Sequence, residues 1–501
     1  MKKLQRKEFL KKLCLAAFAA TNLPQLLRGS EIFAAAEPQQ QQQDNILLSL
    51  DPNRDGIVDL HCHPSLGMYL LNKHMWRRHF PVRGSNLTHM QIDVHQLSSG
   101  FVKGMIAAHY LPEAAIKRQW NTVKTILPVV NRVLRRFINK LEHEDATNFT
   151  QINCMIDILE SQITRTNQVQ KDIKFVIACS YPEFLQAMQQ PGVIPVAHAI
   201  EGAHALGRSF PVSVKGRRKK KERPDQYHMM AAADDDKNID PAPYLRNLEL
   251  LHKRGVCLMS LAHFFKNDLV YPVDGISPDG KILPGMSWQY TPDQDRPLSM
   301  VGRSVVQRML DIGMIVDLTH SAPAARRDVL EINRTSNILR VRDGLKPRPI
   351  VFTHTGAQQI YKYYDQGHYP YYKYYDASDE EIHLISECDG TIGVLPENFW
   401  LVGADSHMRK EFRPGQFRDG ISYIIQTMKY INSKTRKKDF SNISIGTDFD
   451  GLADAPGDLH KPSQLGALID ALKSDPEITE EQVRWITCEN ALRVMENGWD
   501  E

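Results

Sequence analysis

The sequence predicts an α/β protein of the (β/α)8 class, a TIM barrel with inserted loops, and three observations predict it. From Gly56 onward, short β-branched or apolar runs alternate with longer amphipathic stretches, the pattern of a parallel sheet covered by helices. Eight such runs stand out, and they read as continuous apolar segments, as strands buried on both faces do. The polar residues that carry chemical information fall at the carboxyl ends of these runs, the face on which barrels place their sites.

Ahead of the barrel, residues 1–36 hold seven Lys/Arg and two acids. Basic residues through Lys12 precede the apolar run Leu13 to Ala20, and Ala34 to Ala36 offer a cleavage point before Glu37, so a signal peptide and an exported, periplasmic or extracellular, protein are expected. The apolar run is too short to span a bilayer, so no transmembrane helix is expected. Arg6-Lys7-Glu8-Phe9-Leu10-Lys11 is twin-arginine-like, with Lys in place of the second arginine. Residues 37–55, with the run Gln39 to Gln43, read as a linker, and 56–501 as the barrel.

Within the barrel the eight strands are expected at Ile57 to Leu60, Gly104 to Ala108, Ile194 to Ile200, Val256 to Ala262, Met314 to Leu318, Ile350 to Phe352, Thr391 to Leu395 and Ile443 to Gly446. A further apolar run, Phe175 to Cys179, is left over as an accessory element. Thr479 followed by Glu480 and Glu481 caps the last helix, whose apolar positions are Val483, Ile486, Ala491, Leu492 and Val494. Two segments read as insertions. Residues 205–242 contain the basic run Lys215 to Arg223 and the acidic Asp234 to Asp236; Tyr361 to Tyr375 packs eight tyrosines and two lysines into fifteen residues.

Composition narrows the function classes. With 42% hydrophobic and 24% charged residues, the chain can bury a large core. The net charge is +3 overall, of which the leader carries +5, so the remainder stands at −2 and one basic loop supplies few phosphate contacts; no nucleic-acid partner is expected. Seven cysteines without a CxxC pair indicate neither a zinc ribbon nor a disulfide framework.

The strand ends carry the chemistry. Asp59-Leu60-His61-Cys62-His63 closes the first run; residues two apart share a face of an extended strand, so both imidazoles reach one ion. The third run ends in Glu201-Gly202, a carboxylate able to bridge two cations through its two oxygens. The fifth ends Asp317-Leu318-Thr319-His320, the sixth Thr353-His354, and the eighth Gly446-Thr447-Asp448-Phe449-Asp450-Gly451.

This order of motifs resembles the membrane dipeptidase (renal dipeptidase) family of binuclear zinc peptidases, from about Gly56 to Met495. Supporting text includes Leu245-Arg246-Asn247-Leu248, Leu298 to Gly302 opening a helix, and Glu489-Asn490-Ala491-Leu492-Arg493-Val494. The resemblance implies that His61 and His63 hold one zinc ion, that Glu201 bridges, and that His320 and His354 hold a second. It makes His263 the stabiliser of the tetrahedral intermediate and Asp448 the acid/base, with a metal-bridged hydroxide as nucleophile. The implied substrate is a dipeptide or related short amide.

Two departures are visible. The family's first motif is His-x-Asp, whereas His63 stands here, leaving a metal pair one unit more positive. The family holds the substrate carboxylate with an arginine shortly after the second-ion histidine, and no arginine lies between His354 and Glu381. Lys362 and Lys373 are the candidate replacements, with Tyr361 and Asn267 as further substrate contacts. The alternatives are another binuclear amidohydrolase, such as a lactonase or deacylase, or an exported noncatalytic barrel. The retained ligands and Asp448 favour an enzyme. A homodimer is held open on base rates alone.

Overall fold

The computed structural model describes residues 56–79, 90–98, 101–112, 147–207, 239–264, 267–273, 296–360, 372–397, 420–451 and 455–500. The expected leader, the linker and the basic run Lys215 to Arg223 lie outside them. Among the described residues nine strands form one parallel sheet: β1 Ile57–Cys62, β2 Val102–Tyr110, β3 Lys174–Ala178, β4 Val193–Glu201, β5 Val256–Ser260, β6 Ile315–Asp317, β7 Ile350–Thr355, β8 Thr391–Val394 and β9 Ile443–Ile445. Eight of them follow one another as neighbours, β1-β2-β4-β5-β6-β7-β8-β9. The segment after β9 returns to β1: Cys62 bridges Phe449, His63 N donates to Phe449 O at 2.8 Å, and Asp448 N donates to His61 O at 2.8 Å. The sheet is thereby closed into the expected (β/α)8 barrel.

The leftover run is β3, and its place follows from register. Val196 and Ala197 pair with β2 on one edge of β4 and with Ile177 and Ala178 of β3 on the other. β5 then takes that second edge from His198 to Glu201. β3 therefore flanks the lower half of β4, beneath the position where β5 continues the barrel. Its alternate residues are exposed, as for a strand covered on one face only.

Strand burial follows the apolar reading: β1, β5, β6, β7, β8 and β9 are buried along their whole length. Helices pack outside with one apolar stripe each, for example Asn148–Val169, which buries Ile152, Met155, Ile156, Leu159 and Ile163 and is capped by Thr147 accepting from Thr150 N. The helix expected after Leu298 spans Met300–Ile312, with Ser299 as its cap. The last helix begins with the Thr479/Gln482 capping box and runs on through a wider π turn, Trp485–Glu489, to Asn490–Gly498. Among the described residues no helix is long and apolar enough to cross a membrane.

Two glycines let the barrel wall close around β7. A Cβ on Gly393 would lie 1.9 Å from Thr353 O, and one on Gly446 would lie 1.8 Å from the same atom. Both clashes are with backbone, which cannot swing aside. Gly446→Ala is expected to lower stability by about 1–3 kcal/mol, the usual cost of overpacking, and to displace the Thr353–His354 pair. Chemical denaturation of the variant checks this; an unchanged midpoint would mean that β7 shifts without strain.

Candidate metal centre

Strand alternation and closure bring seven of the sequence-predicted side chains to one point at the carboxyl ends of the strands. Glu201, at the end of β4 and 2% exposed, is the centre. Its Oε1 faces His61 Nε2 at 3.4 Å, His320 Nε2 at 3.3 Å and His354 Nε2 at 3.5 Å. Its Oε2 faces His63 Nε2 at 3.3 Å and His263 Nε2 at 3.4 Å. Asp448 joins from the far side of His63, Oδ1 to Nε2 at 3.0 Å. Five imidazole nitrogens thus surround one buried carboxylate.

Beneath the imidazoles lies a polar layer that orients them. Asp317 accepts five hydrogen bonds: from Thr319 N, Thr319 Oγ1 and Thr353 N on Oδ1, and from Ser260 Oγ and Thr353 Oγ1 on Oδ2. Thr353 Oγ1 has one proton, and it goes to Asp317. The same oxygen lies 3.0 Å from His61 Nδ1 and 2.9 Å from His354 Nδ1, so it accepts from both rings. Each ring then carries its proton on Nδ1 and presents a bare Nε2 lone pair to Glu201. Asp59 does the equivalent work on the other side, accepting from His61 N, Thr447 N and Thr447 Oγ1. Burial pushes Asp59 up to about 6 despite those bonds.

The donor set suits a metal ion for a reason of proton counting. His61 Nε2 lies 3.0 Å from His63 Nε2, and His320 Nε2 lies 3.1 Å from His354 Nε2. Lone pairs at such distances, with a carboxylate between them, need a cation or a proton. At the second pair burial works against protons, holding His354 well below the ordinary histidine range and lowering His320; at the first pair Glu201 and Asp448 overcome burial and raise His63 to about 9, positive charge being favoured where an ion would sit. Burial would raise Glu201, but His263, His63, His61 and the His320 contact outweigh it and hold the acid well below its usual range. Of the ligand groups that fall within reach of one ion, His61/His63/Glu201 and Glu201/His263/His320 share the central acid. A third, His61/Asp317/His354, uses a carboxylate already committed to its five hydrogen bonds.

Strand-end backbone conformations hold the outer residues. His320 has φ +65° and Asp448 φ +51°, both in the left-handed region that non-glycine residues rarely occupy. Gly451 makes room for Asp448: a Cβ there would meet Asp448 Oδ1 at 1.8 Å and His63 Cδ2 at 2.6 Å. His263 lies against two tilted rings, with Tyr110 at 3.9 Å and Phe264 at 3.7 Å between centroids.

The expected substrate contacts fare differently. Asn267 is buried with its amide engaged in its own loop, donating to Leu261 O and accepting from Leu269 N and Val270 N. Tyr361, Lys362 and the side chain of Lys373 lie outside the described residues. The re-entry of the tyrosine-rich stretch is described: the fully buried Arg326 lies over Phe352 and donates to Tyr374 O at 2.7 Å and to Tyr375 O at 3.3 Å. Sequence reading did not single out Thr353, Tyr110 or Arg326 as site residues. A Thr-His pair opposite an Asp-x-Thr strand end was the available signal for Thr353; Tyr110 and Arg326 carried none.

Comparison with known proteins agrees with the geometry. The chain matches the model of the membrane dipeptidase family, Peptidase family M19, over residues 237–498. Dipeptidase aclJ of Aspergillus oryzae is 24% identical over 250 residues, 50% of this chain and 46% of that protein. An uncharacterized dipeptidase of Schizosaccharomyces pombe is 24% identical over 343 residues, 68% of this chain and 60% of that one. The chain therefore spans about half the length of the curated relatives it matches. In fold it is similar to a metallo peptidase from Rhodobacter sphaeroides solved with a phosphinate mimic of the dipeptide L-Ala-D-Ala, at a TM-score of 0.57 and 15% identity, over 89% of this chain and 100% of that one. The probable dipeptidase PvdM from Pseudomonas aeruginosa gives a TM-score of 0.57 at 14% identity over 92% of this chain and 98% of its own. With more than half the chain matched by the family model and the barrel shared with these structures, the protein belongs to the membrane dipeptidase family.

Proposed function

We propose that this chain is a zinc-dependent hydrolase of dipeptides or related short amides. The observation that carries the reading is the pair of bare Nε2 lone pairs on His61 and His354, fixed by Thr353 and aimed at Glu201. Ligands of the first ion are His61 and His63, Glu201 is shared, and His320 and His354 serve the second. When bound, zinc supplies Lewis acidity that makes a water nucleophilic near neutral pH.

The chain's own residues do the rest. Asp448 is the group at the mouth that carries a proton from the attacking water to the leaving amine; its side chain is 15% exposed, the least buried in the cluster. His263, packed against Tyr110 and Phe264, presents Nε2 where negative charge develops on the substrate oxygen. Lys362 or Lys373 supplies the cation that the family's arginine offers the substrate carboxylate, and Asn267 ties together its own loop past the end of β5. The basic, apolar and small-residue pattern of residues 1–36 supports export to the periplasm or cell exterior.

Metal analysis of the purified protein, with hydrolysis of L-Ala-D-Ala, L-Ala-L-Ala and a longer peptide, tests this. About two zinc ions per chain and cleavage confined to the dipeptides are expected. Two ions without dipeptide cleavage would move the activity to other amides or lactones, and absence of bound metal would overturn the reading.

A further inference from the structure

A second polar cluster lies outside the barrel, on the opposite face of the wall. Tyr110 pairs with Glu201 in register and both face inward, so His109 and His198, at odd spacing from them, face the helices. Both imidazoles are fully buried. That layer is otherwise apolar, with Met155, Ile156 and Leu159 buried on the covering helix, and two imidazoles there carry a desolvation cost unless fully bonded.

Two hydrogen bonds and one longer polar contact link them in a line. Ser65 Oγ lies 2.9 Å from His109 Nδ1, and His109 Nε2 lies 2.9 Å from His198 Nδ1. His198 Nε2 faces Glu160 Oε1 at 3.4 Å, and Glu160 Oε1 accepts from Arg254 Nη2 at 3.2 Å near the surface. The proton order is forced from the outer end. The His198 contact holds Glu160 below the ordinary carboxylate range, so it accepts only. A bare Nε2 lone pair would face that carboxylate at 3.4 Å, so His198 keeps its proton on Nε2, short of a full hydrogen bond, and accepts through Nδ1. His109, kept neutral by burial, donates through Nε2 and accepts through Nδ1, and Ser65 must donate.

The inner end of this line is the entry to a helix that begins on a metal ligand. His63 is the N-cap of the helix Pro64–Leu71, caps it with no side-chain bond, and has an irregular backbone at φ −116°, ψ 54°. Its Nδ1 has no hydrogen-bond partner among the described residues. The ring of His63 thus lacks the direct support that Thr353 gives to His61 and His354.

We propose that the line Glu160–His198–His109–Ser65 is a strut that positions His63, fixing the first helical turn from outside the barrel so that the imidazole reaches its ion. The inference rests on the metal reading above and assigns positioning roles to Ser65, His109 and His198. No bond is made or broken in the strut, and its protons keep one order throughout.

The test compares Ser65→Ala, Ser65→Thr and a His109→Leu/His198→Met double variant in the full chain. Competition with a chelator is expected to show zinc affinity at one of the two sites falling about tenfold in Ser65→Ala, the low end of outer-shell effects, and recovering in Ser65→Thr. The double variant removes both imidazoles together and leaves only Ser65 Oγ as a buried group without its partner, so it should melt modestly below wild type and show the same affinity loss. In metal-free protein the His63 ring resonances should move in Ser65→Ala and return in Ser65→Thr. Unchanged zinc affinity with a lowered melting temperature, or unmoved His63 resonances, would overturn the strut. A wild type that binds no zinc would sink the metal reading instead, and the resonances would still decide the strut.

Discussion

Glu201→Gln is expected to abolish most of the activity by emptying the centre of its shared ligand. Glutamine keeps the length of the side chain but presents one oxygen and one NH2 where both Glu201 oxygens now face imidazole nitrogens. Three nitrogens share Oε1 and two share Oε2, so either amide orientation replaces a ligand oxygen by an NH2, which has no lone pair to offer an ion. Zinc content should fall by at least one ion per chain. Losing the Lewis-acid contribution of one ion, several kcal/mol, corresponds to roughly a 10³-fold drop in kcat/KM. Metal content and rate are read on the same preparation. Full zinc content with wild-type rate would show that the carboxylate is a bystander.

The second large effect separates proton transfer from metal holding. Asp448→Asn should retain zinc within error while kcat falls about 10²- to 10⁴-fold, the range for a positioned acid/base, with little change in KM. Asparagine fits the left-handed backbone at φ +51°, a conformation it tolerates better than most residues, and the space left by Gly451 is unchanged. A parallel loss of zinc would recast Asp448 as a ligand; it already lies 3.0 Å from His63 Nε2.

How much of this was legible in the sequence depends on the range of each interaction. The strands were readable because a doubly buried strand must be apolar throughout, and the seven residues of the centre because each ends such a strand. Boundaries moved where polar chemistry took over: β7 runs to Thr355, past the apolar Phe352, while β5 stops at Ser260 because Leu261 O accepts from Asn267 Nδ2 and Ala203 N. The pairing of Thr353 with Asp317 joins residues 36 apart, and His109 with His198 residues 89 apart. Neither pair exists without the register of neighbouring strands. Asn267 shows a different limit: a polar residue just past a strand end reads as a substrate contact, yet the loop's own amides use its side chain.

The closure of the ring has a temporal meaning. His61 and His63 stand on the first strand, whereas Phe449, whose carbonyl accepts from His63, and Asp448 follow the last; Asp59 and Thr447 are bonded across 388 positions. Until residues 443–449 emerge during synthesis, β1 has an unpaired edge and the imidazoles of its end have no seam to lie against. Such distant contacts are the slowest to form and the last to be rewarded. The centre is thus a keystone set after the arch is standing, and an ion bound there would lock the two ends of the barrel sequence together.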